Sequence, residues 1–122
     1  MPNRRFIGPL VAGFTASIAN AQPYSESMAD CAAVHQNAAQ WVVSDDTADR
    51  LMGAARAWAT AAVAQTAKEG HAVSSEAMWL KIDAKTDAWQ AKGPAAFQSA
   101  EFKDWTAYCK SFARDQGINT GL

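Results

Sequence analysis

Apolar residues recur at every third or fourth position along most of this chain, and strand-like alternation of apolar and polar residues is absent. Residues 22–122 contain 24 alanines, and alanine has the highest helix propensity of all residues. Only two prolines, Pro23 and Pro94, fall in the same stretch, so few positions interrupt a helix. The periodicity and the composition together predict an all-α fold.

Turn-forming residues divide this helical pattern into four amphipathic segments. The segments span residues 26–43, 47–69, 76–92 and 99–115. Serines that can act as N-caps precede the last three segments, and a glycine follows the end of each of these three segments. The candidate N-caps are Ser44 with the polar residues after it, Ser74 or Ser75, and Ser99. Four helices joined by short connections fit most simply into a small antiparallel four-helix bundle.

The many alanines bring the helix backbones close together, and five tryptophans fill the remaining volume of the expected core. Each buried indole N–H needs a hydrogen-bond acceptor, so we expect several of the five to lie at the edge of the core. They are Trp41, Trp58, Trp79, Trp89 and Trp105.

Residues 1–21 have the order of elements that is typical of a secretory signal peptide. Two arginines open the segment, residues 6–18 are mostly apolar, and Ala19-Asn20-Ala21 has the small-residue pattern of a cleavage site. We expect cleavage after Ala21, which leaves residues 22–122 as a single helical domain in a bacterial periplasm or outside the cell. No stretch reaches the roughly 18 apolar residues that a membrane span requires, so we expect none after cleavage.

The chain has 11 lysines and arginines against 12 aspartates and glutamates, which argues against a nucleic-acid partner. Its two cysteines, Cys31 and Cys109, predict one disulfide, because an even number is typical of small exported proteins. In an antiparallel bundle we expect the two cysteines at the same end of the first and last helices. The bond would close a loop of about 79 residues and contribute about 4 kcal/mol.

His35 lies in the middle of the apolar face of the first segment, one turn after Cys31 and two turns after Met28. The simpler interpretation is a core histidine that is hydrogen-bonded to a neighbouring helix. The alternative is a copper or haem site that uses Met28 and His35, since thioether and imidazole groups suit these metals.

Met28 and the stretch Ala107-Tyr108-Cys109 of the last segment resemble the cytochrome b562 type of four-helix haem protein. In that family a methionine near the start of the first helix and a histidine in the last helix hold the haem. Met28 matches the methionine, but Cys109 stands where the histidine would be. The resemblance therefore implies the bundle shape without the complete haem ligand pair.

Two groups of residues are candidates for contact with a partner. Lys81, Lys85 and Lys92 lie on one stripe of the third segment, where they either bind an acidic partner or form an ordinary solvated helix face. Phe97 lies in an alanine-rich connection, where it either exposes apolar surface to a partner or folds back over the core. His71 is interpreted as a solvated loop residue.

No combination of residues in the chain predicts an enzyme. We expect no histidine beside an inward-facing serine, and the acidic residues between 26 and 49 are explained first as charges at helix starts. The sequence therefore predicts a small exported helical protein that acts without catalysis and without a cofactor, as a binding, accessory or inhibitor-like module. Its expected partner is another protein in the periplasm, and the alternative is a periplasmic copper- or haem-binding bundle.

Overall fold

The structure is a computed structural model that describes residues 22–122, and the expected signal peptide, residues 1–21, lies outside the described residues. Five helices account for most of the described chain, and none of its residues forms a strand. The helices are α1 (Tyr24–Trp41), α2 (Asp45–Lys68), α3 (Ser75–Ala91), α4 (Pro94–Phe97) and α5 (Ala100–Gln116). The all-α prediction is confirmed, and each long helix begins and ends within two residues of its expected bounds.

Serine side chains begin three of the long helices, as the sequence predicts. The Oγ atoms of Ser44, Ser74 and Ser99 accept hydrogen bonds from backbone N–H groups three residues later, over 3.3, 3.0 and 3.1 Å. Each bond satisfies one of the amide donors that the first turn of a helix leaves without a partner. The short helix α4 was not predicted. It begins directly after Gly93 with Pro94, which has no N–H to leave unsatisfied at that position.

The helices alternate in direction along the chain. Ser25, at the start of α1, is hydrogen-bonded to Glu69, directly after the end of α2, so these two helices are antiparallel. Cys31 of α1 lies beside Cys109 of α5 at disulfide distance, and two turns later in α1 Ala38 shares an apolar cluster with Phe102, which lies two turns before Cys109 in α5. From the cysteine pair to this cluster, residue numbers increase along α1 and decrease along α5. These two helices are therefore also antiparallel.

Helix α3 runs parallel to α1. Lys81 is paired with Glu26, and Lys85, one turn later, is paired with Asp30, one turn after Glu26. The first and third helices of a square antiparallel bundle face each other across its diagonal, whereas here α1 contacts α3 directly. The arrangement that the structure supports is an all-α fold in which α1 lies at the centre.

The central position of α1 follows from its small side chains. The helix packs most extensively against α2 and also contacts α3 and α5. Ala29, Ala32 and Ala33 are at most 1% exposed, and side chains of this size allow neighbouring helices to approach closely on several sides. None of the helices formed by residues 22–122 combines the length and the apolar character that crossing a bilayer requires.

The tryptophans follow the expected pattern with one exception. Trp41, Trp79, Trp89 and Trp105 are partly exposed, and the Nε1 atom of Trp41 donates a hydrogen bond to the Oδ1 atom of Asn37. Trp58 is fully buried in the main apolar cluster, which also contains Met28, Met78, Ile82 and Phe112, and its ring stacks on Phe112 at 5.4 Å. Its Nε1 atom has no hydrogen-bond partner within residues 22–122.

Candidate functional site

A pocket of about 460 Å³ lies between α1, the start of α2, the second half of α5 and the segment that follows α5. We call it the His35 pocket. It is lined by His35 and Ala38 of α1, Leu51 of α2, Thr106, Cys109, Lys110, Ala113 and Arg114 of α5, and residues 118–122. Its volume falls within the range of about 300–1,000 Å³ that is common for small-molecule sites.

The segment after α5 is held over the pocket by the way the helix ends. Gly117 has a φ of 68°, a left-handed conformation that glycine adopts without the steric cost of a Cβ atom. The chain therefore turns back, and the N–H of Ile118 donates a hydrogen bond of 2.9 Å to the carbonyl of Ala113. Ile118 packs against the main apolar cluster, so this segment forms one wall of the pocket.

His35 is the most unusual side chain in the pocket. It is only 6% exposed, as its position on the apolar face of α1 predicts. The hydrogen bond that we expected to a neighbouring helix is not present in the described part of the chain, where the buried Nδ1 atom has no partner. Burial without a compensating charge lowers the pKa of His35 from 6.5 to about 4, so the imidazole is neutral at pH 7.

The cysteine pair holds α5 against α1 at the edge of this pocket. The Cα atoms of Cys31 and Cys109 are 5.6 Å apart, which is within the usual range for a disulfide. Both cysteines are at most 1% exposed, and each lies near the middle of its helix rather than at the common end that we expected. Because Cys31 precedes His35 by one turn, the bond fixes the two walls of the pocket relative to each other.

Met28, the other ligand of the alternative metal site, lies elsewhere. Its side chain is 3% exposed within the main apolar cluster, and it is not among the residues that line the His35 pocket. Residues 22–122 contain no group of three or more histidine, cysteine, aspartate or glutamate side chains that could hold a metal ion. The histidine and the methionine therefore share a helix but not this cavity.

Two of the three candidate lysines lie on α3 and contact acidic side chains of α1. The Nζ atom of Lys81 lies 2.7 Å from Glu26, and that of Lys85 lies 2.5 Å from Glu26 and 2.7 Å from Asp30. Burial opposes the charged form of Lys85, but its hydrogen bonds to the two carboxylates raise its pKa above the ordinary value. Burial likewise opposes ionisation of Glu26, and the two lysines still lower the pKa of Glu26. Any acidic partner has to compete with these carboxylates.

Lys92 and Phe97 also have contacts within the chain. The Nζ atom of Lys92 lies 3.0 Å from Glu101 and 4.8 Å from the centre of the Trp89 ring. Phe97 is partly buried, and its ring centre lies 5.4 Å from that of Phe102. Phe97 therefore packs over the apolar cluster of Val34, Ala38 and Phe102, so the connection folds back over the core.

The structure adds one polar cluster that the sequence did not reveal. The Oγ atom of the buried Ser25 donates a hydrogen bond of 2.5 Å to Glu69, and the Nε2 atom of His71 lies 3.6 Å from the same carboxylate oxygen. The hydrogen bond from the Ser25 side chain is the main reason why the pKa of Glu69 is lowered. The carboxylate therefore lies between the hydroxyl and the imidazole, so this cluster does not provide the basic imidazole that activates a serine nucleophile.

Comparison of this chain with protein-family models, with curated proteins and with solved structures gives no match in any of the three. The function is therefore inferred from the chemistry of the described residues.

Proposed function

We propose that this protein is a small exported, non-catalytic binding module whose ligand site is the His35 pocket. In this proposal residues 1–21 are a signal peptide, and residues 22–122 are one domain with an antiparallel four-helix bundle as its scaffold. The alternating helix directions support the bundle, although the direct contact between α1 and α3 makes it less regular than a square one.

The observation that carries the proposal is the combination of a preformed cavity with a buried polar group that has no partner. A buried polar atom without a hydrogen bond costs about 1–3 kcal/mol, and native structures contain few of them. Neutral His35 lies in such a state in the wall of a mostly apolar pocket. A bound ligand that reaches the imidazole would use a site that the packing of α1 and α5 already holds open, which is the usual form of a small-molecule site.

Export is supported by two independent features. Residues 1–21 have the charged, apolar and small-residue elements of a signal peptide. The Cys31–Cys109 pair is at disulfide distance, and such bonds persist in oxidising compartments such as the periplasm. Intact-mass measurement of the exported protein tests this part, with Gln22 expected as the first residue and two hydrogens lost to the disulfide. A chain that retains residues 1–21, or that carries two free thiols, would contradict it.

The ligand site is tested by fragment screening with two-dimensional NMR on the oxidised protein. Binding in the pocket should shift the amide signals of His35, Ala113 and Ile118 together. Leu51→Trp places a large side chain in the pocket wall and should abolish these shifts. Leu80→Trp is the matched control, because Leu80 is 69% exposed on α3 and does not line the pocket. Fragments that bind the Leu51→Trp variant as well as the wild type would refute the proposed site.

Carriage of copper or haem is the second candidate function. A neutral imidazole is the form that binds metals, and burial keeps His35 in that form at pH 7. Titration with Cu(II) or haem, both of which absorb visible light, distinguishes the two candidates when it is followed by absorbance. Saturable binding that is lost in both His35→Ala and Met28→Leu would favour metal carriage, whereas a spectrum that does not change would favour the small-molecule site.

A protein partner in the periplasm is the other ligand that the sequence suggests, through Lys81, Lys85, Lys92 and Phe97. The exposure of Lys81 and Lys92, about half of each side chain, supports such a contact. Each of the three lysines already contacts a carboxylate, which an acidic protein would have to displace. We therefore favour the His35 pocket over this surface as the binding site. Crosslinking in a periplasmic extract, with Lys81→Glu/Lys92→Glu as the comparison, tests the contact.

A further inference from the structure

The charged side chains that line the His35 pocket all have the same sign. Lys110 and Arg114 lie one turn apart on α5 and line the pocket, and no aspartate or glutamate side chain does. Both residues are exposed, and neither has a carboxylate within 4.0 Å in the described part of the chain. Lys110 and Arg114 differ in this from Lys81, Lys85 and Lys92, each of which contacts a carboxylate.

The interior of the pocket is mainly apolar. Ala38, Leu51, Ala113 and Ile118 contribute hydrocarbon from four different parts of the chain. The buried His35 adds one polar group but no charge at pH 7, because burial disfavours its protonated form. The two cations at the side of the pocket therefore lie next to a cavity that suits an apolar body.

We propose that the His35 pocket binds an amphipathic organic anion, with the apolar part of the ligand between α1 and α5 and its carboxylate beside Lys110 and Arg114. This inference rests on the proposed function, since it assigns a ligand class to the same site. The volume of about 460 Å³ is large enough for a ligand of the size of octanoate or of a small aromatic acid.

Three probes with the same alkyl chain separate charge from hydrophobicity. Octanoate, octan-1-ol and octylammonium are titrated into the oxidised protein at about pH 7.5, where the carboxylate and the ammonium probe are both ionised. The amide shifts of His35 and Ile118 report binding. Octanoate should bind about five- to tenfold more tightly than octan-1-ol, because two exposed ion pairs contribute modestly, and octylammonium should bind most weakly. The preference for octanoate should decrease when NaCl is raised from about 0.05 to about 0.5 M.

Substitution of the two cations tests where the charge is recognised. Lys110→Gln/Arg114→Gln should reduce octanoate affinity about five- to tenfold, to the level of octan-1-ol, and leave octan-1-ol affinity unchanged. Lys103→Gln is the matched control, because Lys103 is exposed on the same helix but does not line the pocket. It should leave the affinity for all three probes unchanged. All three positions are on the surface, so the variants should fold as the wild type does.

The possible outcomes distinguish the ligand class from the site itself. If octanoate and octan-1-ol bind equally well in the pocket, the proposed anion selectivity is wrong and the binding function stands. Octanoate affinity that is unchanged in Lys110→Gln/Arg114→Gln would also overturn the inference. If none of the three probes shifts the signals of His35 and Ile118, and fragment screening finds no other ligand there, the proposed function itself fails.

Discussion

Acidification should destabilise this protein through one residue, His35, well before its carboxylates are protonated. Burial lowers the pKa of His35 to about 4 in the folded state, against 6.5 for an unperturbed histidine. Between these two values the unfolded chain binds a proton at this position and the folded chain does not. A fall in pH through this interval therefore favours unfolding, and the effect is absent above about pH 7.

The size of the effect follows from the two pKa values. Each pH unit between them costs about 1.4 kcal/mol, so the full loss below pH 4 is about 3 kcal/mol and the loss between pH 7 and pH 5 is about 2 kcal/mol. The pKa values of Glu26 and Glu69 are also lowered in the folded state. The stability that these carboxylates contribute is present above their ordinary pKa of 4.5 and is lost only as the pH falls further. The loss of stability that we expect between pH 7 and pH 5 is therefore due to His35.

Urea unfolding followed by tryptophan fluorescence measures this loss at pH 7, 6 and 5. The wild type should lose about 2 kcal/mol over the interval, whereas His35→Phe, which has no titratable group at this position, should lose much less. His35→Leu repeats the test with a smaller side chain. His71→Gln is the matched control, since it removes a histidine whose side chain is 56% exposed and keeps His35, so the loss that His35 causes should remain. Equal losses in the wild type and in both His35 variants would refute the reasoning.

Three further predictions concern stability. Cys31→Ala/Cys109→Ala, which opens a loop with a sequence separation of 78, should lose about 4 kcal/mol, and an unchanged thermal midpoint would count against the cross-link. Lys85→Met should lower the free energy of unfolding in urea by about 1–2 kcal/mol, because it leaves two partly buried carboxylates without their shared cation. Lys81→Met, at a position that is half exposed, should lower it by less than about 0.5 kcal/mol. Gly117→Ala should lower the free energy of unfolding by about 1 kcal/mol, because the φ of 68° at this position is strained for a residue with a Cβ atom. An unchanged stability by calorimetry would show that the chain turns differently after α5.

The helices of this protein could be predicted closely because their signals are local. The three N-cap serines, Ser44, Ser74 and Ser99, act on amides only three residues away, and Gly117 acts on the turn that immediately precedes it. The short helix α4 was missed because a helix of only four residues in an alanine-rich connection is too short to show periodicity.

The candidate site could be predicted only in part. The position of His35 on the apolar face of α1 shows that it is buried, but the missing hydrogen bond depends on the neighbouring helix. The acidic partners of Lys81 and Lys85 lie 55 residues earlier in the chain, so the stripe looked like a free surface. The pocket itself combines α1, α2, α5 and the segment after α5.

Helix bounds, caps and the burial of His35 and of the cysteines were therefore accessible from the order of residues, since each depends on interactions within one or two helical turns. The contact between α1 and α3, the ion pairs between them and the cavity beside His35 were not. These features depend on how far each helix is rotated about its axis and on which helix it contacts, and both are set by the packing of side chains that are distant in the chain.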